Sequence, residues 1–170
     1  MILGMSTAAY TMLHVIVSLA GILSGAVVLF GMLRSKKCEG WTALFLATTV
    51  LTSVSGFFFP RDHLLPSHIV GILSLVILAV AIAAFYPNRL AGAWRRVYVV
   101  SAAAALYLNV FVLVVQSFLK VPYLQSLAPT QSEPPFLIAQ LAVLALFVLL
   151  GAAAVRSFIP EAGAAAPGRH

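Results

Sequence analysis

The sequence predicts an all-α fold: a polytopic membrane protein built as a bundle of five transmembrane helices, N-terminus outside and C-terminus inside. Three observations predict it. The 170 residues are 62% hydrophobic and 8% charged, with a mean hydropathy of +1.08, far from the composition of soluble domains. Five apolar runs each approach the roughly 20 residues that cross a hydrocarbon core of about 30 Å. The basic residues sit in short loops on alternate sides of these runs.

The runs are expected near Tyr10–Leu33, Trp41–Phe59, His68–Tyr86, Val97–Phe118 and Phe136–Val155. The first is too long for a signal-peptide core, lacks a basic flank before it and is followed directly by Arg34-Ser35-Lys36-Lys37, so it reads as a retained helix. With Arg34, Lys36, Lys37, Arg89, Arg95, Arg96, Arg156 and Arg169 on the cytoplasmic side, only Arg61 and Lys120 remain outside, and this asymmetry gives the orientation. Residues 1–157 form the transmembrane domain, and 158–170, rich in Ala and Gly, a flexible cytoplasmic tail. The longest connection, KVPYLQSLAPTQSEPP from Lys120 to Pro135, carries Pro122, Pro129, Pro134 and Pro135, which argue against a regular helix through it and for a cap over the outer face.

A formal net charge of +6 does not indicate nucleic acid, because the charges form no basic stripe. Cys38 is the only cysteine and falls in a cytoplasmic loop, so neither a disulfide framework nor thiol oxidation on the outer face is available. No Gly-rich phosphate loop, nucleophile elbow or paired carboxylates support catalysis of the soluble type.

In lipid both faces of a helix are apolar, so small and polar stripes carry the information about helix contacts. In the first span His14, Ser18, Gly21 and Gly25 recur at helical spacing, with Gly21 and Gly25 forming a GxxxG pair that lets a neighbour approach closely, in this chain or in a homo-oligomer. Thr49, Thr52, Ser53 and Gly56 do the same in the second. Asn109 and Gln116, seven residues apart, share one face of the fourth span, and Gln140 in the fifth is the expected partner of that face. Trp41, Tyr86, Trp94 and Tyr98 near the inner ends, and Tyr10 and Tyr123 near the outer ends, read as interface anchors.

The stretch FFFPRDHLLPSH, residues 57–68, concentrates Asp62, His63 and His68 between two apolar runs. HVIVSLAGIL from His14 echoes HIVGILSLVI from His68, which suits a parallel two-helix repeat. The two histidines then share one depth at the outer boundary, with Gln116 in the same layer. The plain reading is a wet turn with boundary histidines satisfied by water and headgroups. The sharper readings are a haem b or quinone site through His14, His68 and Gln116, or a copper or zinc site drawing on His14, His63, His68 and Asp62, with Met1, Met5 and Met12 added for copper.

The segments GWTALFLATTVLTSVSGFFFP, LLPSHIVGILSLV and LNVFVLVVQSFLKVPYLQSLAPTQSEPPFLIAQL together resemble a group of small multipass bacterial inner-membrane proteins of unassigned function, across residues 12 to 157. The resemblance implies a bacterial inner membrane and no particular activity. The functional expectation is a non-catalytic accessory, assembly or small-transport component in contact with the lipid bilayer, alone, as a homo-oligomer or in a larger membrane complex. The alternative is a redox or metal-handling protein.

Overall fold

The computed structural model describes residues 2–59 and 66–159. These form α1 (Thr7–Leu33), α2 (Glu39–Gly56), α3 (Pro66–Phe85), α4 (Trp94–Lys120), the short α5 (Pro122–Leu127) and α6 (Pro134–Ser157). Asp62 and His63 lie outside the described residues, as does the tail from residue 160.

Local chemistry explains where the helices begin and end. Ser6 caps α1, its hydroxyl accepting from Ala9 N at 3.2 Å. At the other end Ser35 takes a left-handed φ of 54°, while Lys36 N bonds Gly31 O at 2.8 Å and Ser35 N bonds Met32 O at 3.0 Å, a Schellman closure with serine where glycine is usual. Glu39 opens α2, where a carboxylate complements the helix dipole, and Lys37 holds it at 2.7 Å. Prolines start α3, α5 and α6 at positions whose N–H groups have no helical partner. That rule also accounts for α5: Pro122 begins a short helix inside the loop that its proline content had marked as irregular.

Among the described residues, four helices are long and apolar enough to cross a membrane: α1, α3 from His68, α4 and α6. The second apolar run is also helical, but α2 carries six hydroxyl side chains between Thr42 and Ser55, and these lower its hydropathy.

Successive long helices pack antiparallel, with the most extensive contacts within the pairs α1–α2 and α3–α4. α2 packs against both α1 and α3, and α4 against α1, α3 and α6. Gly25 is where α1 meets α2 and α4: a Cβ there would stand 2.7 Å from Leu106 Cδ1 and 2.8 Å from the Phe45 ring. Small residues bring α4 and α6 together as well, since a Cβ on Gly151 would meet that of Ala103 at 3.7 Å.

The apolar core gathers toward the end of the bundle that holds the α1–α2 and α3–α4 turns, around Met32, Phe45, Leu78, Val99 and Phe158. Phe158, assigned from sequence to the flexible tail, is 1% exposed and stacks at 6.3 Å on Tyr98. The main chain of the next residue is also tied down, with Ile159 N and O on Ser35 Oγ at 2.9 and 2.6 Å. Tyr98 itself is buried, 3.1 Å from Thr42 Oγ1, and is therefore a core residue rather than an interface anchor. Trp41, Tyr86, Trp94 and Tyr123 are exposed, as anchors at a membrane surface would be.

Candidate functional site

At the end opposite the apolar core, α1 and α2 exchange polar contacts. Tyr10 and His14 are one helical turn apart on α1 and face the last turn of α2. The Tyr10 hydroxyl donates to Ser55 O at 2.9 Å, and His14 Nδ1 lies 2.8 Å from Ser55 Oγ. Phe59 stands edge-on to both rings, with centroids 5.1 Å from Tyr10 and 5.2 Å from His14. Gly56 leaves room beside the imidazole, since a Cβ there would come within 3.9 Å of His14 Cε1.

The proton count at Ser55 matters for the chemistry of His14. Ser55 Oγ donates to Thr52 O at 3.1 Å, and a hydroxyl has one proton to give. In that arrangement His14 Nδ1–H is the donor, and Nε2 carries the lone pair. The tautomer is inferred from this network. Such a histidine is oriented through one nitrogen and basic at the other, the form that ligates metals.

His68, near the start of α3, is half-buried with its ring 5.6 Å from that of Phe57. Gly71, three residues on, gives that phenyl ring its place: a Cβ on Gly71 would lie 3.1 Å from Phe57 Cζ. His14 and His68 thus lie at the same end of the bundle, each against the C-terminal residues of α2, which packs against both of their helices. Gln116 is exposed. Among the described residues no three of His, Cys, Asp and Glu gather to hold a metal ion, and the expected contributions of Asp62 and His63 lie outside those residues.

Deeper in the bundle the polar side chains pair across helices. Ser53 and Ser74 join α2 to α3 at 3.1 Å, and Asn109 Nδ2 donates from α4 to Thr49 Oγ1 on α2 at 3.2 Å. Gly21 makes room for this pair, because a Cβ there would sit 3.2 Å from the Thr48 and Thr49 hydroxyls and 3.5 Å from Asn109 Nδ2. Asn109 therefore does not pair with Gln140, as the shared-face argument expects. Gln140 approaches α4 from α6 and donates to Phe111 O at 3.3 Å. Asn109 and Phe111, two positions apart on α4, point to different neighbours. Gln140 Oε1 and Thr52 Oγ1 are buried without a hydrogen-bond partner among the described residues.

Two hollows in the bundle, one around Gly25, Phe45 and Leu106 and one around Cys38, Thr42 and Tyr98, have no room for a water molecule. Neither touches His14, His68 or Gln116. Sequence reasoning singled out His14 and the glycine pair but missed Ser55, Phe59 and the burial of Tyr10, which is 4% exposed. The available signal was the i, i+4 relation of Tyr10 to His14, which places a second polar group on the same face.

Comparison of the chain with protein-family models, with curated proteins and with solved structures finds no match.

Proposed function

We propose that this chain is a five-span protein of the bacterial inner membrane, N-terminus outside and C-terminus inside, and that it acts as a non-catalytic accessory, assembly or small-transport component. The observation that carries this reading is how the polar seam is used. Ser53, Ser74, Thr49 and Asn109 bond to one another across the helices, so these groups hold the bundle together instead of lining a chamber for a substrate.

The fifth span is supported by α2, whose 18 residues extend about 27 Å at 1.5 Å per residue, close to the hydrocarbon thickness. It packs against α1 and α3, meeting Tyr98 at one end and His14 at the other. The orientation is supported by Arg34, Lys36, Lys37, Arg89, Arg95, Arg96 and Arg156, which belong to the helix ends and turns on one side, with Lys120 at the other. The resemblance over residues 12 to 157 supports the bacterial inner membrane as the location.

A second reading, a redox or metal-handling protein using haem b, quinone, copper or zinc, is favoured by one observation: His14 is anchored through Nδ1 on Ser55 Oγ at 2.8 Å, which fixes the direction of its ring. An absorption spectrum and metal analysis of the protein purified in mild detergent separate the two readings. The accessory reading predicts no Soret band and no stoichiometric metal. A bound chromophore or metal lost in both His14→Ala and His68→Ala would replace it with the redox or metal reading.

A further inference from the structure

The connection between α4 and α6 folds back on α4. Val121 leaves that helix in an extended conformation, φ −89° and ψ 114°, and Pro122 opens α5. Beyond α5, Gln131 takes a left-handed φ of 59°, and its Nε2 donates to Val115 O at 3.0 Å. Val115 precedes the end of α4 by five residues, about 7.5 Å at 1.5 Å per residue, so the chain returns along the flank of the helix it has just left. The Phe118 and Phe136 rings, edge-on at 5.4 Å, close the seam between the end of α4 and the start of α6. Among the described residues the extensive contacts of α5 are with α4, and not with α1, α2 or α3. In that position it is no lid over His14 and His68.

α5 buries none of its own residues. Tyr123 and Leu127, one helical turn apart and on one face, are exposed by 72% and 40%. Gln125, two residues from each of them, is also exposed and projects from the opposite side. Residues 121–132 contain no charged side chain, while Lys120 and Glu133 flank them. The short helix thus has one apolar and one polar face, both turned away from the protein.

The surroundings identify what the apolar face meets. α5 packs on α4 and α4 on α6, two helices long and apolar enough to cross a membrane, and Leu119, Val121, Leu137 and Ile138 are exposed at the ends of those helices nearest to it. The Tyr123–Leu127 face therefore continues their apolar surface. Deep in hydrocarbon, Gln125 and the main-chain groups of the loop would lack hydrogen-bond partners, and in water the apolar face would be uncovered. The layer where headgroups meet hydrocarbon satisfies both, and tyrosine favours it.

We propose that α5 lies in this boundary layer of the bilayer, with Tyr123 and Leu127 turned to the acyl chains and Gln125 to the headgroups and water. The proposal rests on the membrane reading and not on the orientation, since either leaflet offers such a layer.

The test places a single tryptophan on each face of α5 in the full chain: Tyr123→Trp and Gln125→Trp, each made with Trp41→Phe and Trp94→Phe. Positions 123 and 125 are exposed, and an unchanged melting temperature shows the variants to be folded. The proteins are reconstituted into phosphatidylcholine vesicles whose acyl chains carry bromine either close to the glycerol or close to the chain end, and acrylamide is added on both sides as the aqueous quencher. Tyr123→Trp should lose most of its emission to the bromines near the glycerol, less to those near the chain end and little to acrylamide. Gln125→Trp should be quenched chiefly by acrylamide. A tryptophan at position 123 quenched by acrylamide and not by bromine would overturn the proposal by placing α5 in water. Quenching by neither would overturn it in favour of cover by protein, a second copy of the chain included. Strongest quenching by the bromines near the chain end would overturn it in favour of a segment that re-enters the hydrocarbon. Trp41→Phe alone keeps Trp94 as the control. Bromine quenching of Trp94 with none at position 123 overturns the placement of α5 alone, whereas no bromine quenching at either overturns the membrane reading with it.

Discussion

Gly25→Leu lowers the stability of the detergent-solubilised bundle by about 3 kcal/mol, the upper end of the cost of overpacking a close-packed interior. The magnitude follows from position. A single Cβ on Gly25 would already stand 2.8 Å from two Phe45 ring carbons, and Phe45 is 1% exposed with no free space to turn into. Leucine adds three further carbons at the same place, so α1 must move away from α2 and α4 together. Leu23→Ile, on the same helix but 68% exposed, should change the melting temperature little. Equal tolerance of the two substitutions would mean that α1 does not pack through Gly25 in the folded protein.

Phe158→Ala should cost about 3 kcal/mol, as truncation of a buried phenyl group does when the walls of the site cannot collapse. Phe158 closes the core at the end of the bundle that holds the α1–α2 and α3–α4 turns, packed near Tyr98, whose ring in turn lies 5.0 Å from Phe85. The informative control is Ile159→Ala. That side chain is 68% exposed, and residue 159 is held through its main chain by Ser35, so truncation should be nearly silent. Thermal unfolding in detergent reads the stability, and the rate of tryptic cleavage after Arg156 reads local release of the α6 end. Faster cleavage for Phe158→Ala alone is expected. A silent Phe158→Ala would remove the aromatic plug from the account.

Helix positions were legible in the sequence because hydropathy reports length directly, and the observed helices extend or trim the apolar runs by only a few residues. Gly21 and Gly25 were legible as a contact face because glycine has few other uses within an apolar helix. What they touch was not. Both glycines are occupied within the chain, against α2 and α4, so this face is not available to join two copies. The partners of Asn109 and Gln140 were misassigned because a shared helical face names a direction and not the helix that lies there. Tyrosine near the end of a span is usually amphipathic, which marks Tyr98 and Tyr10 in the sequence as boundary anchors. Each instead finds an oxygen within the bundle, on Thr42 and Ser55. The cluster around His14 was half legible: its depth followed from counting residues, but Ser55 could be found only once α1 and α2 were paired in register.

Whether all five long helices cross the bilayer, and in which direction, is measured most directly by labelling single cysteines in intact cells with a membrane-impermeant maleimide. Cys38 serves as the native probe of one end, and Thr7→Cys, Ser126→Cys and Ser157→Cys, each made in a Cys38→Ser background, report the other connections. Five spans with the N-terminus outside predict labelling at positions 7 and 126 from the medium, with positions 38 and 157 protected until the cells are opened. If positions 7 and 157 behave alike, an even number of helices crosses and α2 lies within the bundle without spanning the membrane. Labelling at 38 and 157 with protection at 7 and 126 would contradict the orientation drawn from the arginines.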